Sequence, residues 1–362
     1  MKEIYYCKIA ESGSGLCNQL FALVTGILLA LQKGRKIVIV DSFSNDYSTN
    51  SRTRVSDVIN LDKLNIFLKS NYNIIVLDRH NINVTIKTVK YGIDGNYIDI
   101  TNTIKDKYYK NNLFCINTNV NLNNIAQRDP LIGQQKQLEL TYSVNDILLK
   151  ESYEEINGFL KTKIEFNLQN TNFIHVMGWI NHIDRCKFDN ILKNIHFVKK
   201  YDIPDNENKI IAQCKKINVI HLRLEDDAIT HWSRQNNMSP TFFKNIIERK
   251  YINIIYKHIN KNDMNIILTY STQNSVIDFL KKNDYNYHIS SKIHEWGREL
   301  NAIKDTNMIY LCNNLFIGNF NLENLNGSSL SYFLLNNIKK TNIKSILIDL
   351  DKILVTENVV TK

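Results

Sequence analysis

The run His221-Leu222-Arg223-Leu224-Glu225-Asp226-Asp227 sets an arginine beside a cluster of carboxylates. A guanidinium presents a planar fork that donates two charge-assisted hydrogen bonds to a phosphate or pyrophosphate, whereas a lysine offers only a point charge. An adjacent acid would orient that fork, although surface ion pairs at a charged strand end would account for the same letters. A second place is the turn Asn326-Gly327-Ser328-Ser329-Leu330-Ser331. Small hydroxyl residues at a helix N-terminus leave backbone N–H groups aimed at an anion, with the helix dipole behind them; an ordinary N-cap uses the same residues. The third is Glu11 to Gln19, rich in glycine and serine. It lacks both G-x-G-x-x-G and G-x-x-x-x-G-K-[ST], so no motif supports a dinucleotide or Walker-type reading.

The charge balance agrees with an anionic ligand: 45 Lys and Arg against 36 Asp and Glu give +9 over 362 residues. The lysines are spread along the chain and cluster only as pairs such as Lys199-Lys200, Lys215-Lys216, Lys281-Lys282 and Lys339-Lys340. That distribution favours a nucleotide-sized anion over nucleic acid. A composition of 43% hydrophobic and 22% charged residues can bury a core, and 3 prolines with 12 glycines in no period exclude collagen-like and low-complexity chains. No run of ~18 apolar residues occurs. The nearest, Leu20 to Leu31, contains Thr25 and Gly26 and is followed by Lys33 and Arg35, so no membrane span is expected. Met1-Lys2-Glu3 leads straight into Ile4 to Ile9 with no cleavage site, so no secretory signal is expected either. Cys7, Cys17, Cys115, Cys186, Cys214 and Cys312 show neither a C-x-x-C pair nor zinc-like spacing. Reduced thiols and a cytoplasmic location are the expectation. The sequence is silent on oligomeric state.

Elements must position these groups. Ile4 to Ala10 reads as a strand, Ser12-Gly13-Ser14-Gly15 as a turn, Leu16 to Lys33 as a buried helix ending at Gly34, and Lys36 to Asp41 as a strand. This βαβ opening is the sequence form of a doubly wound parallel sheet. The polar, Asn-rich stretch from about Asn45 to Asn170 yields no topology. Phe173 to Trp179 reads as a strand entering a loop, with a helix near Arg185 to Asn194. A polar stretch with a proline, Asp202 to Asn208, marks a domain junction. A second βα series follows. Ile217 to Leu224, Asn265 to Tyr270, Tyr287 to Ser290, Leu315 to Gly318 and Ser345 to Asp349 are its strands; Ser239 and Pro240 open a helix running to His258, and Gln273 to Lys282 forms another. The expectation is an α/β chain of two Rossmann-like domains, 1–205 and 206–362, facing each other across a cleft, with the chemistry at the carboxyl ends of the strands.

Together these segments resemble a family. Gly15-Leu16-Cys17-Asn18-Gln19-Leu20-Phe21 is similar to the G-L-G-N-Q-[ML]-F opening of α-1,2-fucosyltransferases, with Cys17 in place of the usual glycine. His221-Leu222-Arg223-Leu224-Glu225-Asp226 resembles the H-x-R-x-x-D signature shared by α-1,2-, α-1,6- and protein O-fucosyltransferases. Arg298 to Asp305, and Phe316-Ile317-Gly318 followed by Ser328 to Ser331, resemble the protein O-fucosylating branch. Gly178-Trp179, leading through a helix to Ile195-His196-Phe197, is similar to an α-1,2-branch segment.

The resemblance implies a GT-B fold and a metal-independent, inverting transfer of fucose from GDP-fucose to a glycan or protein acceptor, with no cofactor. Protein groups must then neutralise the departing diphosphate. Arg223 is expected to clamp the β-phosphate, helped by Ser328, Ser329 and nearby amides. His221 and Asp226 would set the ribose or phosphate side, Asp305 the guanine or its helix, and Gly15 and Asn18 the sugar or diphosphate. The acceptor hydroxyl must lose a proton as it attacks, and Glu11 is the candidate base. The implied role for residues 1–205 is the acceptor side, where His175, Trp179 and His182 either line the site or belong to the core; residues 206–362 would bind the donor. Asp349-Leu350-Asp351 has the letters of a metal motif but reads as structural. A transferase using another GDP- or UDP-linked sugar, and a non-catalytic carbohydrate-binding relative, remain open.

Overall fold

The helix α1 (Leu16–Gln32) that follows strand β1 (Ile4–Lys8) is apolar almost all round, as a helix buried on every side must be. Gly34, at φ 64°, reverses the chain into β2 (Ile37–Val40). α2 (Leu61–Tyr72) and β3 (Ile75–Asp78) come next, then β4 (Val84–Ile93), β5 (Asn96–Asp99), β6 (Gln137–Val144), β7 (Ile147–Ile156) and β8 (Ile174–His175). This computed structural model describes every residue except 12–14, 46–50, 112, 169–173, 177–182, 324–325, 339–342, 352, 355–357 and 362, and only the backbone of 358–361. Ser12 to Ser14 of the first turn, Phe173, Gly178, Trp179 and His182 therefore lie outside the described residues.

By contacts the chain forms two units: 1–10, 22–43 and 53–188 in the first, and 11–21, 44–52 and 189–362 in the second. The first unit contains a parallel sheet in the order β8-β1-β2-β3. It also contains an antiparallel sheet in the order Phe159–Leu160, β7, β6, β4, β5, within the stretch that yields no topology from sequence. Three two-residue turns fold that sheet, Asp94-Gly95, Asn145-Asp146 and Asn157-Gly158, with φ of 50° and 85°, 44° and 66°, and 53° and 87°. Positive φ at both positions matches the right-handed twist of a hairpin. One core joins Ile37 and Ile39 of β2 to Val84, Ile86 and Val89 of β4 and to Leu138, Leu140 and Tyr142 of β6. The buried face of β7 carries two carboxylates. Glu151 accepts from the Tyr142 hydroxyl (2.5 Å), the Tyr153 hydroxyl and the Glu3 amide (3.0 Å), and Glu155 accepts from the Lys136 amide (2.8 Å).

The second unit is a doubly wound sheet. Its elements are α3 (Asp205–Ala212), β9 (Ile217–His221), α4 (Asp226–Gln235), α5 (Pro240–His258), β10 (Met264–Leu268), α6 (Ser275–Lys282), β11 (Tyr287–Ile289), α7 (Arg298–Met308), β12 (Leu315–Gly318), α8 (Ser329–Asn336), β13 (Lys344–Leu347) and β14 (Asn358–Thr361). The strand order is β11-β10-β9-β12-β13-β14, parallel except for β14 at the edge. Side chains alternate between two cores. Ile220, Ile267, Ile317 and Ile346 pack with α4, α5 and α6, while Val219, Ile266, Phe316 and Leu347 pack with α3, α7 and α8. Strand order reverses between β9 and β12, and a crevice outside the strand carboxyl ends is expected there. As read from sequence, Ser239 caps α5 by accepting the Phe242 amide (3.3 Å), with Pro240 at the first helical position. Among the described residues no helix is long and apolar enough to cross a membrane.

Gly26 is where α1 presses on β1, and a Cβ there would overlap the Cys7 sulfur. Gly26→Ala should lower stability by about 1–3 kcal/mol despite alanine's better helix propensity, because overpacking outweighs it. Thermal or urea unfolding would show this, and an unchanged or raised melting temperature would refute it.

Candidate functional site

One cavity of about 300 Å³ collects segments from the whole length of the chain, all in the second unit. Gly15, Asn18, His221, Arg223, Asp305, Ser328 and Ser329 line it. Glu11 and Asp226 are both exposed and are not among the lining residues. His175 lies on β8 in the first unit.

Arg223 owes its position to strand alternation carried past the end of β9. Leu222 and Leu224 stay buried at 0% and 1% exposure, and Leu222 N continues the ladder by donating to Leu268 O (3.0 Å), so Arg223 between them turns the other way. Arg223 Nη1 donates to Glu225 Oε2 (2.8 Å) and Nη2 to Asp227 Oδ2 (2.9 Å). Glu225 sits at the N-cap of α4 without capping it; its other oxygen accepts the Tyr270 amide (3.3 Å). Arg298 opens α7, with Nη2 3.5 Å from Asp227 Oδ2 and its guanidinium 5.8 Å from the centre of the Tyr270 ring. Although burial opposes ionisation, Arg223 and Arg298 hold the Asp227 carboxyl below the ordinary aspartate range.

His221 is 3% exposed, and its Nδ1 lies 2.7 Å from Ser331 Oγ, which also accepts the Asn319 amide (2.8 Å). Tyr251 donates its hydroxyl proton to the His221 carbonyl (2.6 Å). Burial, then Arg223 and Lys292, push the imidazole down to about 3, so it is neutral. Gly318 must stay small here, because a Cβ would come 2.8 Å from the Phe316 ring and 2.9 Å from Ser331 Oγ. Ser328 takes the N-cap place of α8 with its own amide donated to Asn319 O (2.8 Å) and no side-chain cap, leaving its hydroxyl beside the cavity.

The Gly15 turn is held by the buried Glu299, whose Oε2 accepts the Leu16 amide at the head of α1 (2.5 Å). Gln19 pins the neighbouring segment by exchanging hydrogen bonds with the Ser44 amide (2.8 Å) and carbonyl (3.1 Å). Cys17 is buried at the cavity wall, and burial and then Glu299 push its thiol well up. Asp305 is 3% exposed rather than solvated, accepting from Ser290 Oγ (2.5 Å) and Lys292 Nζ (2.6 Å). Asp349 and Asp351 accept from the side chains of Asn321 (2.6 Å) and Asn326 (2.5 Å). Among the described residues no group of three or more His, Cys, Asp or Glu is arranged to hold a metal ion.

Several lining residues had no role assigned from the sequence: Tyr270, Trp232, His231, Arg298 and Glu299. Arg298 and Glu299 belong to one of the family-like segments, and Tyr270 closes a strand whose carboxyl end faces the crevice, so both signals were present. The cavity thus offers two guanidinia, a serine-rich helix start and aromatic faces, a set suited to a phosphorylated, ring-bearing ligand.

No protein-family model matches the chain, and no curated protein matches it. Among solved structures, the chain is similar to the fucosyltransferase NodZ from Bradyrhizobium, at 9% identity and a TM-score of 0.47 over 99% of each chain. It is also similar to POFUT1 in a complex with GDP-fucose, at 9% identity and a TM-score of 0.45 over 93% of this chain and 94% of that one.

Because His221 stays neutral when folded but titrates near 6.5 when unfolded, the unfolded chain binds the extra proton as pH falls. Stability should fall below pH 6.5 by up to ~1.4 kcal/mol per pH unit, before the carboxylates titrate. Urea unfolding at pH 7, 6 and 5 tests this, with His221→Asn expected to flatten that slope. An equal slope in both proteins would refute it.

Proposed function

We propose that the chain is a glycosyltransferase that moves fucose from GDP-fucose to a hydroxyl of a glycan or protein acceptor, by a metal-independent, inverting displacement on a GT-B scaffold. The observation that carries this reading is convergence: Gly15, Asn18, His221, Arg223, Asp305, Ser328 and Ser329, drawn from segments that resemble fucosyltransferase motifs, line one cavity at the switch point of a doubly wound sheet. In this reading residues 206–362 hold the donor and residues 1–205 serve the acceptor.

The acceptor oxygen attacks the anomeric carbon as the bond to the diphosphate breaks. The departing β-phosphate gains negative charge, which Arg223 stabilises with the Ser328 and Ser329 hydroxyls and the amides that open α8. His221, neutral and tied to Ser331, positions the strand end that carries Arg223. Asp305, held by Ser290 and Lys292, presents the polar wall for the guanine. Asn18 and Gly15 place the sugar or its phosphate, and Asp226 supports the donor side from the head of α4. The acceptor proton goes to a carboxylate, with Glu11 as the proposed base. Location in the cytoplasm belongs to the same reading.

Thermal-shift and hydrolysis assays with GDP, GDP-fucose, GDP-mannose and UDP-glucose, with and without EDTA, test the donor. Stabilisation by GDP and release of fucose, both insensitive to EDTA, are expected. Arg223→Ala should cut turnover at least ~100-fold, as loss of a transition-state charge partner does. A UDP-sugar response that requires a metal would overturn the reading, and an unchanged rate in Arg223→Ala would overturn the clamp.

A further inference from the structure

The cavity is not the bare positive hole that a net charge of +9 suggests. Arg223 and Arg298 line it together with Glu225, Asp227, Glu299 and Asp305, and Lys292 stands behind Asp305. With His221 neutral, four carboxylates face three cations. An incoming diphosphate therefore meets arginines already neutralised, and one carboxylate must leave before both forks can turn to a phosphate.

The four carboxylates differ in freedom. The side chains of Glu225, Glu299 and Asp305 are 16%, 6% and 5% exposed, and they are anchored to the Tyr270 amide, the Leu16 amide, and Ser290 with Lys292 respectively. Asp227 is 47% exposed, and a single oxygen, Oδ2, meets both guanidinia, at 2.9 Å from Arg223 and 3.5 Å from Arg298. One anionic oxygen shared by two guanidinia is the arrangement a phosphate oxygen would take.

We propose that Arg223 and Arg298 form a two-arginine cradle for the donor's diphosphate, and that Asp227 occupies it in the unliganded chain and swings out to solvent when the diphosphate enters. The inference rests on the nucleotide-sugar reading of this cavity. It makes Arg298 a second phosphate ligand and Asp227 a built-in competitor that sets donor affinity. It also makes donor binding an exchange of one anion for another.

Calorimetric titration of the full chain with GDP, inorganic pyrophosphate and guanosine tests it, using the unaltered protein, Asp227→Asn, Arg298→Gln, Arg298→Lys and the double variant Asp227→Asn/Arg298→Gln. Asp227→Asn should bind GDP and pyrophosphate about tenfold tighter, and Arg298→Gln about tenfold weaker, the scale of one charge-assisted contact. Arg298→Lys should recover part of the loss. The gain from Asp227→Asn should shrink in the Arg298→Gln background, because one of the two cations it frees is gone. Guanosine affinity should stay level throughout, which a general structural disturbance would not allow. If the unaltered chain binds GDP while Asp227→Asn binds it no tighter, the competitor role is overturned. If Arg298→Gln binds GDP as the unaltered chain does, the second ligand is overturned. If the unaltered chain binds neither GDP nor pyrophosphate, the donor reading falls and this inference with it.

Discussion

A buried hydrogen bond between a neutral imidazole and a serine hydroxyl holds the candidate site in register. His221 ends β9, Ser331 lies in the first turn of α8, and the same hydroxyl takes the amide of Asn319 just after β12. Three elements of the candidate site, two strand ends and one helix start, are thereby tied at a single oxygen. The imidazole stays neutral because burial, and then the nearby Arg223 and Lys292 cations, make a protonated ring costly there. Gly318 is part of the same constraint, because any side chain there would push Ser331 off His221.

Around that tie the site is organised by charge compensation rather than by accumulated positive charge. Arg223 leaves the sheet on an alternation that the two buried leucines enforce, and it emerges between Glu225 and Asp227. An unpaired guanidinium in a partly closed cavity would be free to fold back on the backbone; two carboxylates hold its fork extended. The same logic governs Asp305, whose buried carboxylate is balanced by Lys292. Behind α7, Lys304 is fully buried against Glu207 of α3 at 3.2 Å; burial lowers the lysine, and contacts from His288, Ser291 and Lys304 overcome burial to hold the glutamate down to about 2. That pair fastens α7 to α3 and fixes the helix from which Arg298, Glu299 and Asp305 reach the cavity.

Most of the second unit was legible from sequence because its strands are continuous apolar runs and its helices carry plain caps, as at Ser239-Pro240. The strand-end rule then pointed to Arg223 and to the Ser328-Ser329 turn. The first unit was half legible. Its parallel strands β1, β2 and β8 announced themselves, whereas β3 lies in the stretch that yielded no topology, and β7 reads Ile147-Leu148-Leu149-Lys150-Glu151-Ser152-Tyr153-Glu154-Glu155-Ile156, with Leu148 and Ile156 exposed and Glu151 and Glu155 buried. Hydrophobic period is the primary signal for a strand, and here buried carboxylates satisfied by tyrosine hydroxyls and backbone amides invert it. Asp94-Gly95 and Asn157-Gly158 were hairpin letters in plain view, and taken with the alternation of β4 and β6 they mark that sheet. Trp232 could not be told from a core aromatic, since what makes it a lining residue is the cavity and not its spacing.

The helix starts of α1 and α8 both line the cavity, and they differ. A helix start is a ready place for an anion, and the Gly15 turn invites that reading. Yet the Leu16 amide is already taken by Glu299, 283 residues away in sequence and nearly buried. A carboxylate so enclosed satisfies the helix dipole, so the Leu16 amide is withdrawn from any ligand and the turn is braced by α7. The Ser328 hydroxyl, by contrast, caps nothing in its own helix, and Asp227 is half exposed where it bridges the arginines. The groups with room to exchange partners are therefore at the end of β9 and the start of α8, on the two sides of the strand-order reversal. That reversal is where an open α/β sheet is expected to form its ligand crevice.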